Sequence, residues 1–68
     1  MTNGKLLKEI AQSKQITLTR IAEAVGLSRQ GLFKKIENRS EFKASVVEKI
    51  SNLLGLTEQQ RKAIFFAV

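Results

Sequence analysis

Residues 17–36, TLTRIAEAVGLSRQGLFKKI, decide how the chain folds. Leu18, Ile21, Ala22 and Val25 follow the i, i+3, i+4, i+7 spacing of one apolar helix face. Thr17 stands where a cap belongs, since a hydroxyl there accepts from an unpaired N–H of the first turn. Gly26 stops the helix, because glycine enters the left-handed conformation common at helix C-termini without a Cβ clash. Leu27 plugs the angle that follows. Ser28 then caps a second helix, running from Arg29 to about Glu37, with Leu32 and Ile36 turned inward. Two short amphipathic helices joined by Gly26-Leu27-Ser28 make a helix-turn-helix unit over about residues 17–37.

The same periodicity extends in both directions. Upstream, Gly4 to Ser13 carries Leu6, Leu7, Ile10 and Ala11 on one side and Lys5, Lys8, Glu9 and Gln12 on the other. Downstream, Asn38-Arg39-Ser40-Glu41 has the composition of a turn. A fourth helix, about Ala44 to Leu54, is expected to bury Val46 or Val47 with Ile50, Leu53 and Leu54, and Gly55 ends it. Thr57-Glu58-Gln59-Gln60 has the spacing of a capping box and opens a fifth helix, anchored by Ile64 and at least one of Phe65 and Phe66. Proline is absent, and no linker or repeat interrupts the pattern. The expectation is an all-α, compact five-helix bundle forming a single domain over residues 1–68.

Composition narrows the function. A chain of 68 residues buries only about 60% of the surface its unfolded form exposes, so dimerisation would help it. Twelve Lys and Arg against six acids give a net charge of +6. With a pI near 10.2, that surplus favours a polyanionic partner. The absence of Cys excludes a disulfide framework, a zinc ribbon and thiol chemistry. The absence of His, Tyr and Trp as well removes the commonest general base and imidazole metal ligands. Its four Gly are scattered and its six acids spread out, so neither a phosphate loop nor a metal cluster is read here. No cofactor, metal or catalytic role is expected.

Lys5 and Lys8 without a long apolar stretch argue against a signal peptide. The longest apolar run, Ala63 to Val68, is far below the ~20 residues that span a bilayer. The expectation is a soluble intracellular protein without a membrane partner.

At ~100° per residue, Gln30 and Lys34 fall opposite the inward pair Leu32 and Ile36, while Arg29 projects from the exposed first turn. A recognition helix touches bases mainly through its N-terminal residues. Arginine suits guanine O6 and N7, and glutamine suits adenine N6 and N7, both by paired hydrogen bonds. Arg29, Gln30 and Lys34 are therefore the base-reading candidates, with Lys34 also able to reach a phosphate. Gly31, lacking a side chain, lets the backbone approach DNA closely. Phosphate candidates are Thr17, Ser28, Arg39 and Lys43, with the N–H groups that open the helix after Thr17. Phe33 lies on the flank of the buried stripe, open to partial packing, a thymine methyl or a protein partner.

From Ile16 onward the sequence resembles the Cro and lambda-repressor-like helix-turn-helix family. The residues that carry the likeness are Ile16-Thr17, Ile21-Ala22-Glu23, Val25-Gly26-Leu27-Ser28-Arg29 and Ile36-Glu37-Asn38. Ser28 to Ile36, followed by Ser40-Glu41-Phe42, looks especially like small phage Cro-like proteins of Gram-positive hosts, as does the ending Leu56-Thr57-Glu58 with Ile64-Phe65-Phe66. The resemblance implies a lambda-repressor-like five-helix bundle that binds a double-stranded DNA operator as a homodimer. It further implies control of the lysogenic/lytic switch in the cytoplasm of a bacterial host. Carried over by position, base reading again falls on Arg29, Gln30 and Lys34.

Three departures bear on the partner. Leu18 stands where many relatives carry a Gln that reaches the DNA backbone. One extra residue separates Gly26 from Glu37, and Arg39 replaces the Gly that often follows Asn38. Some small phage proteins of this type bind the lysogeny repressor and mask its DNA-binding domain. Leu18, Phe33, Phe65 and Phe66 are the residues that would suit such a protein interface. A third possibility, non-specific nucleic-acid binding, would show salt dependence without sequence preference.

Overall fold

Side-chain caps set where the helices of the computed structural model begin; the structure describes residues 1–66. Asn3 Oδ1 accepts from Leu6 N at 3.1 Å and opens α1, Gly4–Ser13. Thr17 Oγ1 accepts from Arg20 N at 3.1 Å and opens α2, Leu18–Val25. Ser28 Oγ accepts from Gly31 N at 3.0 Å and opens α3, Arg29–Ile36. Then α4, Ala44–Leu54, follows Lys43 without a side-chain cap. Thr57 and Gln60 form the reciprocal capping box of α5, Glu58–Phe65, with bonds of 2.9 and 3.1 Å. Such caps typically stabilise a helix by about 1 kcal/mol each.

The first four helices end alike. Gln15, Gly26, Asn38 and Gly55 take positive φ angles of 58°, 75°, 63° and 62°. After each, the next N–H reaches back five residues: Ile16 to Ala11, Leu27 to Ala22, Arg39 to Lys34 and Leu56 to Ser51, all at 2.9 Å. This pattern satisfies carbonyls that a helix end leaves open. Ile16, Leu27 and Leu56 then turn inward and pack, half-buried, on the core. Asn38 therefore supplies the left-handed turn that ends α3, and Arg39 beyond it is exposed.

Leu7, Ile21, Leu32, Ile50, Leu54 and Ile64 are fully buried and bring all five helices to one core. Burying each such side chain contributes roughly 1.5–3 kcal/mol. α2 packs on both α3 and α4, and α1 packs on α5. This all-α five-helix architecture is the one expected.

Several details differ from expectation. α3 ends at Ile36, one residue early. Both Val46 and Val47 are buried, whereas Leu53 lies on the flank of the α4 stripe and is only half-buried. Phe65 is a core residue, 6% exposed, with its ring edge-on to Phe42 at 5.3 Å between centroids. That burial removes Phe65 from the surface, so it is not the protein contact expected of it. Phe66 is 60% exposed. Ala67 and Val68, which complete the apolar run, lie outside the described residues.

Long-range contacts lock the ends together. Gly4 abuts the end of α3 so closely that an added Cβ would lie 2.5 Å from Ile36 Cγ2 and 2.9 Å from Ile36 O. Lys14 donates its Nζ to the Leu54 carbonyl and so caps the C-terminus of α4. No helix among the described residues is long and apolar enough to cross a membrane.

Candidate nucleic-acid interface

The inward anchors of α3 determine what it offers outside. Leu32 is 0% and Ile36 4% exposed, so the helix cannot roll without uncovering both. Arg29, Gln30 and Lys34 are all exposed. Gln30 and Lys34 stand four residues apart and therefore share one face, one turn above the other. Arg29 and Gln30 occupy the first turn, where Ser28 has already satisfied one of the free N–H groups. Among the described residues, none of the three forms an ion pair or a side-chain hydrogen bond, so their donors face solvent.

Gly31 has two constraints on it. Its N–H is held by Ser28 Oγ, and an added Cβ would come within 3.1 Å of that oxygen. A bare backbone thus sits beside Arg29 and Gln30 at the start of the helix.

The phosphate candidates are dispersed around this face. Thr17 is exposed and its hydroxyl is engaged at the start of α2. Ser28 is exposed and likewise engaged at α3. Lys43 is exposed and occupies the uncapped entry of α4. Arg39 lies 3.5 Å from Glu37, both well exposed, a pairing worth little in water and readily exchanged for another anion. Lys35 differs from its neighbour Lys34, since it donates to Ser40 Oγ and to the Glu41 carbonyl, both at 3.1 Å. It stitches the 38–42 turn to α3.

The apolar candidates are less open than the sequence suggested. Leu18 and Phe33 are half-buried and pack against the core. The Phe33 ring is also covered by charge, with Arg29 Cζ 5.6 Å and Lys8 Nζ 5.9 Å from its centre. Arg29 and Phe33 are one helical turn apart, a proximity legible in their spacing. The sequence places Lys8 on the wetted side of α1, and no local pattern reveals that it meets Phe33.

The charged residues of α3, Arg29, Lys34 and Lys35, are all basic, which favours an anion along that helix. Among the described residues, only Arg39 and Arg61 have a carboxylate within ion-pair distance. Among the described residues, no group of three or more His, Cys, Asp or Glu is placed to hold a metal ion. What the arrangement can do is hydrogen-bond, through paired donors on a rigid helix, to an edge rich in acceptors.

Residues 7–60 match the model of the helix-turn-helix family designated HTH_3, and this stretch contains α2, α3 and the turn between them in full. No curated protein and no solved structure matches the chain significantly.

Proposed function

The chain belongs to that helix-turn-helix family, of Cro/C1 type, and is a DNA-binding regulator of transcription; from this premise we propose that α3 enters a major groove and reads it with Arg29, Gln30 and Lys34. Arg29 pairs with guanine O6 and N7, Gln30 with adenine N6 and N7, and Lys34 with a base or a phosphate. Gly31 lets the backbone come close. Thr17, Ser28, Arg39 and Lys43 hold the phosphates and fix the register without carrying sequence information. The observation that carries this reading is the opposition of the exposed Arg29, Gln30 and Lys34 to the buried Leu32 and Ile36 on one short helix.

The protein acts as a homodimer on two half-sites about one helical turn apart. The likeness of Ser28 to Ile36 and of Ser40-Glu41-Phe42 to small phage proteins supports a narrower role, that of a Cro-like repressor in a lysogenic/lytic switch. A second reading, capture of a phage repressor through apolar surface, is favoured by Phe66, which is 60% exposed.

A duplex selected by the protein from a random-sequence pool tests the assignment. Arg29→Ala should weaken binding to it by about 1–3 kcal/mol and relax the preference at one guanine. Unchanged binding and preference would remove Arg29 from the reading head.

A further inference from the structure

Two cations share one aromatic ring at the edge of α3. Arg29 Cζ lies 5.6 Å and Lys8 Nζ 5.9 Å from the centre of Phe33, both within the ~6 Å reach of a cation–π contact. Arg29 comes from the first turn of the recognition helix, and Lys8 from α1, outside the helix-turn-helix unit. Neither has a carboxylate within ion-pair distance among the described residues. Lys8 also lines, together with Thr17, an open depression of about 380 Å³ between the end of α1 and the start of α2. Lys8 thus borders the entry of α2 and reaches α3 through the Phe33 ring.

Two like charges gathered on one ring repel each other, and an anion bound by either relieves that repulsion. The two side chains are chemically distinct. Lysine is a compact point charge suited to a phosphate, whereas the planar fork of arginine suits the edge of a guanine. The ring restricts both long side chains before binding, which lowers the ordering cost on association.

We propose that Lys8 is a phosphate contact of the DNA interface and that Phe33 is a positioning residue, holding the Arg29 guanidinium for base recognition and Lys8 for the neighbouring backbone. Phe33 then belongs to the DNA interface and is not a docking patch for a protein. This assignment rests on the DNA-binding reading above.

The test measures affinity for a selected duplex and a scrambled one between ~50 and ~200 mM salt, for wild type, Lys8→Gln, Phe33→Leu and Phe33→Tyr. Lys8→Gln should weaken both duplexes equally and reduce the slope of log affinity against log salt by about 0.9. Phe33→Leu should weaken both duplexes but lose about tenfold more on the selected one, while Phe33→Tyr, which keeps the ring face, restores the ratio. A wild-type slope retained in Lys8→Gln overturns the proposal, as does an equal loss on both duplexes in Phe33→Leu or a failure of Phe33→Tyr to rescue. Lys8 is exposed, so its variant decides the matter even if Phe33→Leu fails to fold. Wild-type binding to neither duplex overturns the DNA reading itself and this assignment with it.

Discussion

Asn38 holds Thr2 with both ends of its amide, across 36 residues of chain. Its Oδ1 accepts from Thr2 N at 2.7 Å, and its Nδ2 donates to Thr2 O at 3.0 Å. The same residue has a φ of 63° and ends α3. Thr2 is 9% exposed, and the next residue donates its N–H to Ile64 O at 2.6 Å. The start of the chain is thus tied both to the end of α3 and to α5.

Asn38→Ala should destabilise the fold by about 2–3 kcal/mol, combining two lost hydrogen bonds with an alanine forced into the left-handed region. Asn38→Gly keeps the turn and loses only the amide, so it should recover about 1 kcal/mol of that. Urea denaturation of the two variants separates the contributions. Equal losses would mean that the turn conformation contributes nothing.

Gly4→Ala should also destabilise, although alanine is the better helix former. Its Cβ would meet Ile36 Cγ2 at 2.5 Å and a backbone oxygen at 2.9 Å, and backbone does not yield cheaply. Overpacking of this kind costs about 1–3 kcal/mol, against at most ~1 kcal/mol gained in propensity. A thermal midpoint equal to or above wild type would contradict the close packing of α1 on the end of α3.

Gln15→Gly should stabilise. Glutamine at a φ of 58° pays for a conformation that glycine adopts freely, about 1–2 kcal/mol, of which the greater flexibility of the unfolded glycine chain returns about 0.4–1. The net gain of about 0.5–1 kcal/mol should raise the melting temperature by about 2–8 °C in a domain of this size. A lower melting temperature would show that the Gln15 side chain contributes more than its backbone costs.

Lys34 and Lys35 are adjacent and should respond oppositely. Lys34→Ala should leave the melting temperature within experimental error and weaken DNA binding, because its side chain is exposed and unengaged among the described residues. Lys35→Ala should lower stability by about 1 kcal/mol, because it releases the Ser40 and Glu41 contacts. Calorimetry and a binding titration on both variants distinguish them. The reverse pattern would mean that the two lysines have been assigned to the wrong faces.

Much of this architecture is local chemistry and was visible in the chain. Thr17, Gly26, Ser28, Gly55 and Thr57 mark helix ends because each acts on backbone groups within a few residues of itself. Arg29, Gln30 and Lys34 could be placed on an outer face because Leu32 and Ile36 fix the inner one. What could not be read depends on residues distant in sequence. The Asn38–Thr2 pair, the Gly4–Ile36 contact, the cap of Lys14 on α4 and the approach of Lys8 to Phe33 carry no periodicity. The choice between Phe65 and Phe66 was likewise open, since adjacent aromatics near a helix end satisfy the same stripe. Phe42, not singled out as a core partner, resolves it by receiving Phe65 edge-on. The positive φ at Gln15 has no signal in the sequence, because that residue type seldom adopts it.

The central claim is that α3 reads a DNA sequence, and the most direct measurement is a fluorescence-anisotropy titration at near-physiological salt. The wild-type protein is titrated against a duplex it has selected from a random pool and against a scrambled duplex of the same composition. Tight binding to the selected duplex is expected, with binding at least ~1000-fold weaker to the scramble. Equal affinity for the two would contradict it, leaving a basic surface that attracts nucleic acid without reading it.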